Sequence, residues 1–221
     1  MKKKAFRRLL RVLAVIALFI VVVSLWYRIF VELKPPDIPG NTKEFPRLET
    51  ISDTTFRAGP GWLRKNKYGL WELYVEGDPF SMGYMNGLLC SKLIKEQEEA
   101  FVERLYELVP SPFYLNNLKY FVSVFNRNLD RYIDDEYLEE IYGVSLFAGE
   151  GFEYIGTPYQ RILNYHAAHD IGHALQNMQL VGCTSFALWG GHSSDGKLLM
   201  GRNFDFYVGD RFAENKIVCF F

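Results

Sequence analysis

Cysteine is scarce in this chain: Cys90, Cys183 and Cys219 are the only three among 221 residues. An odd number leaves at least one thiol without an intrachain partner, so a disulfide framework is excluded. No Cys-x-x-Cys spacing occurs, which removes structural zinc sites of that type. An excess of charge is also missing. The 25 basic and 26 acidic residues leave a net charge of -1, so nothing argues for nucleic acid as a partner. Internal repeats and low-complexity tracts are absent. Apolar residues are plentiful, at 49% hydrophobic and 16% aromatic. At this length they suffice for one medium domain with its own core, or two small ones.

The first long apolar run follows Lys2-Lys3-Lys4 and Arg7-Arg8. Within the run from Val12 to Tyr27 the only polar residue ahead of the Trp26-Tyr27 exit is Ser24, and Arg11 can snorkel to extend the span back to Leu9. Leu9 to Tyr27 is then close to the roughly 20 residues a bilayer requires. Trp26 and Tyr27 stand where an interfacial aromatic belt belongs, and Arg28 closes the segment. The exit Ser-Leu-Trp-Tyr-Arg is too bulky for a signal-peptidase site. Residues 1–30 therefore read as an uncleaved signal anchor, with the basic end cytoplasmic and the remainder on the extracytoplasmic side. Residues 31–50, with Pro35, Pro36, Pro39, Gly40 and Pro46, read as a semi-extended linker holding the domain away from the membrane.

Beyond the linker the alternation in residues 68–76 predicts a strand. Gly77-Asp78-Pro79 breaks it, and Asp78 or Ser81 can cap a helix running to Val109, ahead of Pro110 and Pro112. Met82, Met85, Leu89 and Leu93 give that helix a buried face, and Gly83 and Gly87 would let another element approach closely. A second apolar stripe runs from Leu115 to Ile133. A short helix begins at Asp134–Glu136, and Pro158 to Gln179 is helical again. Residues 51–182 are thus expected to be mainly helical. At Val181 the texture changes. Cys183 to Trp189 and Lys197 to Asp205 read as paired strands, with Asp195-Gly196 as the turn. That turn would set Trp189 opposite Arg202 and Cys183 opposite Val208. Arg202 would share the Cys183 face, and Asp205 would need a bulge near Gly201 to come round.

Cys183 directly follows Gly182, which suggests a particular chemistry. Attack on an amide needs a nucleophile, a base and an oxyanion site. An N-terminal cysteine supplies the first two, because its own α-amine, with an ordinary pKa near ~8, can act as the base. Cleavage of the Gly182–Cys183 bond would free that amine, and Gly182 offers no side chain to obstruct the thiol. By itself, a cysteine in a strand can equally be a small buried hydrophobe.

The flanking motifs carry the distinction. Cys183-Thr184-Ser185 with Gly201-Arg202-Asn203-Phe204-Asp205-Phe206 resembles the cysteine N-terminal-nucleophile hydrolases. Upstream, Gly77-Asp78-Pro79-Phe80-Ser81-Met82-Gly83-Tyr84-Met85-Asn86-Gly87 is similar to the G-x-P-Y-E-M-G-Y-Q-x-G segment of the acyl-CoA:6-aminopenicillanic-acid (isopenicillin N) acyltransferase-like family. Acid ceramidase and the choloylglycine hydrolases are relatives of that family. The resemblance covers Gly77 to Phe206. It implies an α+β protein in which a mostly helical prosegment leads into the first β-hairpin of an αββα sandwich, beginning at 183. It implies Cys183 as nucleophile, Arg202 beside it, Asp205 on the freed α-amine and Asn203 in support. It also implies autocleavage between Gly182 and Cys183, no cofactor, and a small acyl amide as substrate.

His166, His169 and His173 fall on one helical face, but Asp170 does not join them. Capping and core hydrogen bonds account for them as well as a metal does, and no metal is expected. His192 belongs to the hairpin loop. Residues 183–221 are too few for a whole sandwich, so the chain is expected to be truncated. Leu198-Leu199-Met200 and Ile217 to Phe221 would then lack a second sheet. The competing reading is a non-catalytic, membrane-tethered helical domain with a relic nucleophile motif.

Overall fold

The structure, a computed structural model, describes residues 2–38, 45–109, 111–168, 181–206 and 209–221. It is a mixed α+β chain with an N-terminal apolar helix and small sheets. Helix α1 spans Lys2–Val31, and its Phe6–Val31 portion is long and apolar enough to cross a membrane, with no part of the apolar window buried.

Four short antiparallel strands follow: β1 (Glu49–Ser52), β2 (Thr55–Ala58), β3 (Gly61–Lys65) and β4 (Trp71–Tyr74). Two-residue turns join the first three. At the second of these Gly59 takes φ +57°, a value its missing Cβ permits, and Pro60 follows. In the β3–β4 loop the Asn66 carboxamide oxygen accepts from the backbone N–H groups of Tyr68 and Leu70. The reading of 51–182 as mainly helical missed this meander, recognising only its last strand. Its strands are four or five residues long, too short for alternation to stand out.

Helix α2 (Pro79–Leu108) starts and ends where the sequence indicates. The Asp78 carboxylate accepts from the Ser81 N–H at 2.9 Å, and Pro79 occupies the first turn. Helices α3 (Pro112–Phe125), α4 (Asp135–Ser145) and α5 (Pro158–His166) follow, with a 3₁₀ turn at Leu129–Tyr132. Thr157 and Gln160 form a reciprocal capping box at the start of α5. The element that approaches Gly83 and Gly87 is α4, which offers its own Gly143 at the crossing.

The core has two parts. Ala58, Leu63, Leu73 and Val75 of the sheet side pack on Met85, Leu89, Cys90 and Leu93 of α2. Leu138, Ile141, Tyr159, Ile162 and Leu163 fill the space between α4 and α5. Leu33 enters this second cluster and is buried, and the Gln160 carboxamide donates to the Val31 carbonyl at 3.2 Å. The expected spacer is therefore corrected at its first residues. An apolar side chain directly after the anchor fills a core slot, so the domain docks against the end of α1. Phe45, at the far side of the proline-rich stretch, stacks on Tyr84.

The hairpin strands β5 (Val181–Gly190) and β6 (Gly196–Phe206) are followed by one turn of helix, α6 (Asp210–Ala213), and by β7 (Ile217–Phe220). Strand β7 pairs parallel with β4, giving the sheet order β1-β2-β3-β4-β7. Ile217 to Phe220 thus gain an in-plane strand partner, while Val218, Phe220 and Phe221 stay exposed, with no second sheet over them among the described residues. The meander has an open edge at β4, and β7 satisfies its backbone groups there. Asn215 and Arg211 hold the return path on α2 through Glu96, Glu99 and Glu103.

Candidate active-site hairpin

The β5–β6 hairpin carries every residue to which the sequence assigns chemistry. Its connection is a five-residue loop, Gly191–Asp195, because Gly190 pairs with Gly196. Gly190 and Gly196 take φ +59° and +73° at the corners. The Ser193 hydroxyl donates to the Lys197 carbonyl at 2.7 Å, and Asp195 accepts from the Lys197 N–H at 3.1 Å. Asp195-Gly196 is therefore the exit of the loop and not its centre, which corrects the expected register. Arg202 pairs with Ser185 rather than Trp189, and Cys183 pairs with Phe204 rather than Val208.

The slip is by an even number of residues, so strand parity survives it. Arg202 occupies the position diagonal to Cys183 and of the same parity. Asn203 pairs with Thr184, and Asp205 pairs with Gly182 at the opposite parity. The bulge expected near Gly201 is not there, since the ladder runs unbroken from Val181↔Phe206 to Leu188↔Leu199. Gly201 instead lies under the Phe186 ring, where an added Cβ would stand 2.4 Å from a ring carbon. The hairpin thus brings Arg202 to the position diagonal to Cys183 and leaves Asp205 across from Gly182. Arg202 and Asn203 are exposed, while the side chains of Cys183 and Asp205 lie outside the described residues. Apolar side chains occupy both parities: Trp189, Leu198 and Met200 on one, Phe186, Leu188 and Leu199 on the other, all exposed.

The other two cysteines are poor nucleophiles. Burial, with Cys219 nearby, pushes the Cys90 thiol up to about 12. Burial and then Glu140 raise the Cys219 thiol as well.

A second polar feature was not foreseen. Glu98 and Arg161 form an ion pair at 2.7 Å with both side chains only 1% exposed, linking α2 to α5. The Tyr165 hydroxyl donates to the same Glu98 oxygen at 2.7 Å, and Arg161 donates to the Gly149 carbonyl at 2.6 Å. Burial, reinforced by the Glu98 carboxylate, raises the Tyr165 phenol. Glu98 borders a largely apolar cavity of about 360 Å³ lined also by Leu93, Phe101, Ile162, Tyr165 and Phe212. Glu98 is one of four acidic residues in the eight-residue stretch 96–103, which resembles a solvated face. The available signal was its place on the same stripe as Ile94 and Val102, where a carboxylate implies a buried partner. Of the histidines, His166 places Nδ1 2.9 Å from the Ile162 carbonyl of its own helix, whereas His169 and His173 lie outside the described residues.

No family model and no solved structure matches the chain. It is similar to an uncharacterized protein of Archaeoglobus fulgidus, 26% identical over 161 residues. The match takes in 66% of this chain, and the chain spans only 26% of that relative's length.

Proposed function

We propose that this chain carries the prosegment and nucleophile hairpin of a cysteine N-terminal-nucleophile amide hydrolase or acyltransferase, held by α1 on the extracytoplasmic face of a membrane. The observation that carries the reading is the pairing of one hairpin, with Cys183 directly after Gly182 and Arg202 diagonal to Cys183. In this reading the Cys183 thiol attacks the Gly182 carbonyl and the peptide nitrogen leaves as the α-amine, giving a thioester. Water then hydrolyses the thioester and regenerates the thiol. The freed amine thereafter accepts the thiol proton when Cys183 attacks a linear, acyl-tailed amide. In this reading Arg202, diagonal to Cys183, stabilises the charge that develops at the thiol. Asp205, across from Gly182, stands at the position from which a carboxylate could hold the new amine. Apolar residues on both faces of the hairpin are what a sheet between two layers requires, as in an αββα sandwich.

A second reading is favoured by one observation. The meander, α2, α4 and α5 bury their cores without any contribution from the described side chains of the hairpin, as a membrane-tethered helical domain would. Intact-mass analysis of the protein extracted from its native membrane separates the two, with Cys183→Ala alongside. The enzyme reading expects two fragments split between Gly182 and Cys183, and one uncut chain for Cys183→Ala. Cleavage that persists in Cys183→Ala assigns the cut to an outside protease. An uncut natural protein without Cys183-dependent turnover of acyl amides leaves the tether.

A further inference from the structure

Helix α3 buries none of its 14 residues. Its Leu115, Leu118 and Val122 are half-buried against the domain. Its opposite face exposes Phe113, Tyr114, Phe121, Val124 and Phe125, with Phe113 and Tyr114 about 70% accessible (72% and 69%). Within that face the Asn117 amide nitrogen donates back to the Phe113 carbonyl at 2.7 Å. Water is a poor neighbour for so contiguous an aromatic surface. The stretch is also devoid of acid. From Leu108 to Leu129 there is no Asp or Glu, and the charged residues are Lys119 and Arg127.

The location of α3 indicates what covers it. The Tyr27 ring meets the Tyr120 ring edge-on at 5.6 Å, and the Tyr27 hydroxyl donates to the Tyr120 carbonyl at 3.2 Å. The Arg127 guanidinium lies 5.2 Å from the Phe30 ring centre. Tyr27 and Phe30 belong to the last turns of α1, where the apolar run gives way to Arg28 and Glu32 and a bilayer surface would fall. Because Val31 and Leu33 are buried in the helical layer, the domain cannot swing away from that level. The aromatic face of α3 is thereby held at the level of the last turns of α1, where Trp26 and Ile29 are likewise exposed.

We propose that α3 is an in-plane membrane helix, its Phe113, Tyr114, Phe121 and Phe125 seated at the headgroup–acyl boundary. The proposal rests on reading α1 as a membrane anchor, and is independent of any chemistry at Cys183. Tyr and Phe suit that depth, since their rings are apolar and the phenol keeps a wet end. An acid-free segment avoids repulsion from the surface of an anionic leaflet.

Photocrosslinking of the full chain in phosphatidylcholine–phosphatidylglycerol vesicles tests this. The photoreactive residue p-benzoyl-phenylalanine is placed singly at position 121, at 22 within α1, or at 68, an exposed tyrosine in the β3–β4 loop. Lipid adducts at 121 should match those at 22 and exceed those at 68 by roughly tenfold. Adding Phe125→Glu should lower the yield at 121 roughly tenfold and leave position 22 unchanged. Adducts at 22 with only background at 121 would overturn the α3 proposal while keeping the anchor. Background at both positions would overturn the anchor and the proposal together. Peptide adducts at 121 in place of lipid would overturn it in favour of a protein partner.

Discussion

Adding one methyl group at Gly83 should cost more than the helix gains from it. In an exposed helix interior, Gly→Ala stabilises by up to ~1 kcal/mol. At Gly83 the new Cβ would stand 2.0 Å from the Glu140 carbonyl oxygen and 2.8 Å from its Cα. Comfortable contact begins near ~3.5 Å, so α2 and α4 must part by about 1 Å or more. The obstacle is backbone, and no side chain can turn aside to relieve it. Parting also loosens the second contact, where Gly87 lies against Val144 and the Phe147 ring. A gap of 0.5–1 Å forfeits roughly a quarter to a half of each such contact. Overpacking of this kind costs typically ~1–3 kcal/mol, so Gly83→Ala should lose about 2 kcal/mol net. For a chain of this size that lowers Tm by roughly 4–8 °C. Thermal unfolding in detergent followed by circular dichroism reads the shift. Gly191→Ala, where nothing lies within 4 Å, serves as the neutral control. A Gly83→Ala protein that melts at or above wild type would refute the close crossing.

Two further outcomes follow from buried groups. Arg161→Met should cost about 3–5 kcal/mol, because it strands the Glu98 carboxylate, and the double variant Glu98→Gln/Arg161→Met should recover more than half in urea unfolding; a single-variant loss under ~1 kcal/mol would contradict the buried pair. For Cys90, a folded pKa of about 12 lies above the unfolded thiol near ~8.5, so folding favours the neutral form. Its contribution is fully present below about pH 8.5 and is lost as pH rises toward 12, at about 1.4 kcal/mol per pH unit. Wild type should therefore lose stability more steeply than Cys90→Ala between about pH 9 and 11, and parallel profiles would show that this thiol is not buried.

Local chemistry by itself determined the elements whose signals are local. The charge-flanked apolar run from Leu9 to Tyr27 sets α1. Asp78, Pro79 and Pro110 set the ends of α2. The change of texture at Val181 sets the hairpin, and alternation kept Arg202 and Cys183 at the same parity through an even slip in register. Gly83 and Gly87 announced a close approach without naming the partner.

Only the tertiary structure decided matters that depend on residues distant in the chain. Gly143 of α4 completes the crossing, and no spacing within α2 could identify it. The loop Gly191–Asp195 fixed the register through hydrogen bonds that two glycines at positive φ make accessible. Strand β7 reads as an unpartnered apolar segment until β4, far earlier in the sequence, offers an open edge. Glu98 resembles a solvated acid until Arg161 lies against it. Leu33 resembles linker until the α4–α5 layer receives it, and that burial brings the domain, and the aromatic face of α3, to the end of α1. Hydrophobic pattern and capping act over a few residues and can be read along the chain. Edge pairing, helix crossing and charge burial are set by which surfaces meet, which the order of residues does not state.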